Sequence, residues 1–248
     1  MSIHETFFSR KQTIAALRQQ IQTTQSGGLL RGLTSSSPSA VSTGCTDLDA
    51  LFPAQGVRLG SLVEWLETGP ASGAGTVSLL TAREVCPSGR ALVLIDSHDE
   101  LFPWVLKLWG FDLSRLVIVR PHSERDALWV CEESLRCEGV GLVWANLERL
   151  TSLSYRRLQL AAEASAGVGF LLRSSRSVRE PTWADARLRV HPLGMGRAAP
   201  CFRVEMADSG GRSGKIRSGR PWVDMTVDRV RGLLHGISEA ANPLSVVS

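Results

Sequence analysis

The sequence predicts an α/β protein: a mostly parallel sheet flanked by helices and continued into an antiparallel extension toward the C-terminus. Three observations predict it. Short apolar runs of strand length alternate with helical patterns between residues 61 and 172, as in sheets buried on both faces. A glycine-rich turn, Gly69-Pro-Ala-Ser-Gly-Ala-Gly-Thr76, joins a strand to a helix. After Pro181 the pattern changes to alternating strands separated by glycine-rich turns.

Taken in order, Phe7, Ile14, Leu17 and Ile21 form a heptad-like stripe that predicts a helical arm over residues 1–25. Residues 26–42 hold Ser26-Gly-Gly28 and Ser35-Ser-Ser-Pro-Ser39, the composition of a flexible linker. The core is expected over 43–228. Ser61–Leu66 reads as its first buried strand and Thr76–Val85 as the helix leading out of the turn. Ala91–Asp96, Arg115–Val119, Val140–Ala145 and Gly167–Leu172 read as further parallel strands. Pro87-Ser-Gly89 ends the first helix, Ser123 with Asp126 caps the next, and Ser154 is the expected cap of Tyr155–Ala164. Ala186–Val190, Cys201–Met206 and Trp222–Val227 supply the antiparallel extension. Val230, Leu233, Leu234 and Ile237 then repeat at helical spacing, so residues 229–248 are expected to form a helix and a tail. Both stripes are candidate protein-binding arms.

The glycine-rich turn has the outline of a phosphate-binding loop, G-x-x-x-x-G-K-[ST]. In that pattern glycines turn backbone N–H groups onto the phosphates, the lysine reaches the β/γ-phosphates, and the hydroxyl holds magnesium. Gly69 and Thr76 keep their places, with Ser72 and Gly73 between them, but Ala74 stands at the second glycine and Gly75 at the lysine. A charge-assisted hydrogen bond contributes roughly 1.5–3 kcal/mol, so losing the lysine alone weakens nucleotide binding by about 10- to 100-fold. The chain's only lysines are Lys11, Lys107 and Lys215, none close in sequence to the loop; Arg83 lies two turns along the outgoing helix.

Around this loop the chain resembles RecA. Ser42-Thr-Gly-Cys-Thr-Asp-Leu-Asp49 followed by Gly56-Val-Arg-Leu-Gly-Ser-Leu-Val-Glu64 is similar to the opening of the RecA core, and the similarity continues through Leu94–Pro103, Leu108–Leu113 and Leu116–Pro121. It spans residues 43 to 190. Against the RecA pattern, His98 stands where the water-activating glutamate belongs, and Ala145 where the magnesium-linked aspartate belongs. With Gly75, three departures remove the phosphate clamp, the base and the metal anchor together, which implies no ATPase activity and no nucleotide cofactor.

A RecA-like core with these replacements, short loops and added ends resembles the ImuA family of SOS-mutagenesis accessory proteins. The resemblance implies a non-catalytic adaptor in bacterial translesion DNA synthesis, working with an ImuB-type Y-family polymerase homologue, an error-prone replicative-type polymerase and RecA. It implies contacts with RecA or DNA through the N-terminal stripe or the basic loops, and a contact with the ImuB-type partner through the C-terminal stripe. Two other classes share parts of the pattern. An active RecA- or KaiC-like ATPase would have to bypass Gly75, His98 and Ala145. A SulA-like cell-division inhibitor, RecA-related and without nucleotide chemistry, would bind FtsZ; such proteins are generally shorter and keep less of the Thr43–Glu64 segment.

Charge and composition narrow the field further. Between Arg173 and Arg220 there are eleven basic residues against four acidic ones, while the rest of the chain is net negative. Arg173, Arg176 and Arg179 follow the last parallel strand, and Arg212, Lys215, Arg217 and Arg220 fill a glycine-rich loop; both sets suit weak, salt-sensitive phosphate contacts with DNA. A chain of 248 residues with 43% hydrophobic content buries one substantial core. With no run of eighteen apolar residues and no signal-peptide pattern, a cytoplasmic protein without a membrane anchor is expected. Five cysteines without a C-x-x-C pair suit buried thiols in a reducing compartment, and no metal site is expected.

Overall fold

The computed structural model describes residues 40–180, 182–195, 199–207 and 221–237. The expected N-terminal arm, with Phe7, Ile14, Leu17 and Ile21, lies outside the described residues, as does the basic loop with Arg212, Lys215, Arg217 and Arg220.

Two short strands, β1 (Ala40–Val41) and β2 (Val57–Arg58), pair antiparallel around a four-residue helix, α1 (Thr46–Asp49). Asp49 fixes this opening: its buried carboxylate accepts from the backbone N–H and hydroxyl of Thr43, both at 2.7 Å, and from the Ser42 hydroxyl at 2.6 Å. The alternating core follows. β3 (Leu62–Glu67) leads through the glycine-rich turn into α2 (Ala74–Val85), then come β4 (Ala91–Ile95), α3 (Pro103–Leu108), β5 (Leu116–Val119), α4 (Glu124–Arg136), β6 (Val140–Asn146), α5 (Ser152–Ser165) and β7 (Val168–Arg173). A 3-10 turn, Ser175–Arg179, precedes β8 (Ala186–Met195), β9 (Pro200–Met206), β10 (Trp222–Asp228) and β11 (Leu233–Gly236).

The nine strands from β3 onward form one sheet in the order β11-β10-β9-β8-β3-β7-β6-β4-β5. It divides two apolar layers. On one face Val77 and Leu80 of α2 pack with Trp65, Leu94, Trp144 and Phe170. On the other, Ala127, Cys131 and Leu135 of α4 and Tyr155 and Leu158 of α5 pack with Val93, Ile95, Val143 and Ala145. Strict alternation along β4 and β6 sends successive side chains to opposite layers. Each fully buried leucine or phenylalanine here contributes about 1.5–3 kcal/mol, and Leu80 and Phe170 are both essentially inaccessible.

The five expected parallel strands are present to within a residue or so at each end. The Ser123 hydroxyl accepts from Asp126 N–H at 3.1 Å and caps α4 as expected. Three details differ. Thr151, not Ser154, caps α5, its hydroxyl accepting from Ser154 N–H, so the helix begins a turn earlier. β8 runs parallel to β3 and antiparallel to β9, so the change of direction falls one strand later than the change of pattern. Alternation reports burial, and carries no information on a neighbour's direction. The stripe Val230, Leu233, Leu234 and Ile237 is not helical. Asp228 accepts from the N–H groups of Val230 and Arg231, Gly232 takes φ 61°, and the chain reverses into β11 paired antiparallel with β10. Leu234 is buried, whereas Val230 is 73% exposed at the tip. An aspartate turn ending in glycine thus outweighed a helical spacing of four apolar residues.

Among the described residues no helix is long and apolar enough to cross a membrane.

Candidate functional site

The end of β3 places Gly69–Thr76 at the C-terminal side of the parallel strands, where open α/β sheets form ligand crevices. The turn is closed by Ser72 N–H donating to Gly69 C=O at 3.2 Å. Buried Ser72 turns its hydroxyl to Ala74 N–H, and Val77 N–H donates to Gly73 C=O at 2.9 Å, so the loop feeds directly into α2. Gly73 is the residue before the helix and holds φ 84°, a conformation that disfavours any side chain.

Phe202 of β9 decides what the loop can hold. A Cβ built on Gly73 would come within 2.1 Å of the Phe202 ring, so the ring packs against the loop at Gly73. The adjoining cleft, about 720 Å³, is walled by Val105, Leu108, Trp109, Pro192, Phe202 and Val227 beside Gly75 and Thr76. No lysine lines it. Gly75 itself is not crowded: an added Cβ would make only an ordinary contact, 3.7 Å from Leu172. The lysine position is therefore vacant in chemistry and open in space.

The two other replaced positions separate. His98 is exposed and its Nδ1 lies 3.3 Å from the Asn146 side-chain amide at the end of β6. Ala145 is wholly buried in the layer under α4 and α5, the face of the sheet opposite α2. On the α2 side its neighbour Trp144 donates its indole N–H to the Ser78 hydroxyl at 2.8 Å. Glu67, which sequence reasoning passed over, stands at the rim of the cleft. Burial pushes its carboxyl above the ordinary value, Glu100 adds to the rise, and His98 opposes it. Its signal in the sequence was only that an acidic residue ends an apolar strand.

The three arginines expected to follow the last parallel strand also separate. Arg173 is not available to DNA: it is wholly buried, its guanidinium bonded to Glu64 at 2.8 Å and to Glu180 at 2.5 Å. Glu64, equally buried, also pairs with Arg187. A lone charge in such a place is costly, and the glutamate is kept by two cations. Arg187 donates further to Ser177 C=O at 2.7 Å and Val178 C=O at 3.1 Å, which fixes the 3-10 turn on the sheet. Arg176 and Arg179 project from that turn into solvent. Of the C-terminal arm residues, Val230 and Leu233 are exposed at the hairpin and Leu234 is core. Among the described residues no group of three or more His, Cys, Asp or Glu is placed to hold a metal ion.

Comparison with known proteins gives a consistent picture. Protein ImuA of Caulobacter vibrioides is 31% identical over 202 residues, covering 77% of this chain and 79% of its own. Protein RecA of Clostridium acetobutylicum is 33% identical over 105 residues, 42% of this chain and 30% of that one. The crystal structure of the RadB recombinase superposes with a TM-score of 0.61 at 18% identity, covering 80% of this chain and all of that one, and so shares the fold. No family model matches the chain.

Proposed function

Because this chain belongs to the ImuA family, we propose that it serves bacterial SOS mutagenesis as a non-catalytic accessory, an adaptor built on a RecA-like core. Family membership supports the accessory role in general. The observation that carries the adaptor reading is the state of the nucleotide loop: Gly75 in place of the lysine, and the Phe202 ring packed on the backbone that would receive phosphate. The cleft's charged lining, Arg229 and Glu67, does not stand at the loop and strand-end positions that hold the lysine and the base in the RecA pattern, which leaves transition-state charge poorly met. His98 and Ala145 offer no replacement.

A surface suited to proteins lies beside that loop. Phe102, Trp104 and Leu108, on and before α3, are 66%, 76% and 60% exposed, and Leu108 continues into the cleft wall. Aromatic residues gathered at an exposed patch are the composition of protein interfaces. In this reading the partners are an ImuB-type Y-family polymerase homologue, with RecA and an error-prone replicative-type polymerase in the same assembly, in the cytoplasm. Contact with DNA falls to the exposed arginines and not to Arg173.

The test is ATP binding and hydrolysis by the purified chain, with and without single-stranded DNA, beside co-purification with the ImuB-type partner. Stable co-purification without turnover is expected. DNA-stimulated turnover lost on Thr76→Val would overturn the reading. Any test of the C-terminal tail should truncate after Ile237, since removing β11 would strip an edge strand from the sheet.

A further inference from the structure

We infer that this chain retains a phosphate-binding site, and that it has moved from the emptied loop to an arginine-lined cleft beside it. The cleft, about 550 Å³, opens between the end of β3, the 3-10 turn and β8, and is lined by Leu66, Glu67, Thr68, Arg176, Arg179 and Arg189. Its ligand is a phosphate-bearing group of the nucleotide class, either a free polyphosphate or a nucleotide unit of a single strand. The inference refines the DNA contact in the reading above: it drops Arg173, adds Arg189 and names the chemistry. It does not depend on the protein partners.

The first support is the state of the three guanidiniums. Several other described arginines are held, Arg58 by Asp185, Arg83 by the Trp109 carbonyl, Arg115 by Asp112, Arg157 by Glu132 and Arg203 by Asp224, while Arg125, Arg149 and the Arg231 guanidinium stand singly at the surface. What sets Arg176, Arg179 and Arg189 apart is that all three line one cleft, where among the described residues their guanidinium groups make no hydrogen bond or ion pair. Glu67, the one acid on its rim, pairs with none of them. Like charges brought together repel, so such a cluster is most stable when an anion sits among them.

The second support is what lies beneath them. The turn carrying Arg176 and Arg179 is fastened through its carbonyls to Arg187, and Arg187 to buried Glu64. Arg189 is fixed by the ladder, paired in register with Leu66 of β3 and Glu205 of β9. Charges on fixed backbone lose little freedom on binding, which is what separates a built site from a basic surface. The third support is size and wall. The volume falls in the range of small-molecule sites, and Leu66 and Val178 give an apolar side for a base or sugar. Guanidinium groups match phosphate oxygens in pairs.

The experiment measures binding of a fluorescent oligothymidylate to the full chain by anisotropy, with unlabelled ATP and inorganic tripolyphosphate as competitors. Two charge-matched double variants are compared: Arg176→Ser with Arg189→Ser in the cleft, and Arg125→Ser with Arg231→Ser outside it. Thermal melting of both confirms that they fold; none of these side chains is buried. The expected result is a loss of about tenfold or more for the cleft variant and about twofold or less for the control. Full competition by tripolyphosphate would place a free phosphate chain in the site, and competition only by unlabelled strand would place nucleic acid there; either supports the inference. Equal losses in the two variants, or no binding of any probe by the unaltered chain, would overturn it. Co-purification of the cleft variant with its polymerase partner reads the adaptor role separately.

Discussion

Glu64 and Arg173 face each other across β3 and β7 in an ion pair that no solvent reaches, Oε1 to Nη1 2.8 Å. The pair does more than balance charge. Through Arg187 and Glu180 it ties β7, the 3-10 turn and β8 to one carboxylate. Replacing Glu64 with glutamine leaves Arg187 buried without its anion and Arg173 with Glu180 alone. We expect a loss of about 3–5 kcal/mol, the range for breaking a buried pair from one side. Denaturant unfolding of Glu64→Gln measures it; a change under 1 kcal/mol would mean the arginines find water instead.

Gly73 and Gly75 look equivalent in the sequence and should respond in opposite directions. Gly73→Ala places a side chain at φ 84° and against Phe202. The left-handed conformation alone costs roughly 1–2 kcal/mol, and the collision adds to it. Gly75→Ala meets only an ordinary contact in the first turn of α2 and should stabilise by up to about 1 kcal/mol. Melting temperatures of the two variants, shifted down and up respectively, check both.

Glu67 gives stability a pH dependence whose sign is fixed. Its folded carboxyl titrates above the ordinary 4.5, chiefly through burial. Its contribution is therefore complete below 4.5 and lost as pH rises through the raised value. Glu67→Gln has no such loss, so its melting temperature should match the parent at pH 4 and exceed it at pH 8. Equal curves at both values would show that water reaches the carboxylate freely.

The cysteines should react in the order of their exposure. Cys137 is exposed, whereas burial, with Glu132 adding to it, pushes the fully enclosed Cys131 thiol up to about 12. Thiolate is the reactive form. Brief maleimide labelling at pH 7 followed by peptide mass spectrometry should modify Cys137 and spare Cys131 until the chain is unfolded.

Much of this architecture was legible because buried parallel strands announce themselves. Ala91–Ile95 and Val140–Ala145 are apolar throughout, and the loop between β3 and α2 carries its own glycine signature. The direction of β8 was not legible, since its alternation fits either neighbour. Nor was the hairpin at Asp228–Gly232, where a local turn overrode a helical stripe. The candidate site was read in its absences but not in its additions. The missing lysine is visible at Gly75, whereas Phe202 reaches the loop from 127 positions farther along the chain and Arg189 joins Arg176 only through strand pairing. Arg173 and Arg176 sit three residues apart in one basic run, yet one is core and the other surface. The count of charges cannot distinguish them; strand register does.

The Phe202 ring against Gly73 has a bearing on time as well as on chemistry. A nucleotide loop that fills and empties serves its protein as a clock, because each hydrolysis resets how tightly neighbours are held. In the adaptor reading, a loop capped by a side chain of its own fold keeps no such clock. On that same reading, any complex built on this chain would last as long as its contacts hold, and the signal to take it apart would have to come from another member of the assembly or from removal of the protein itself.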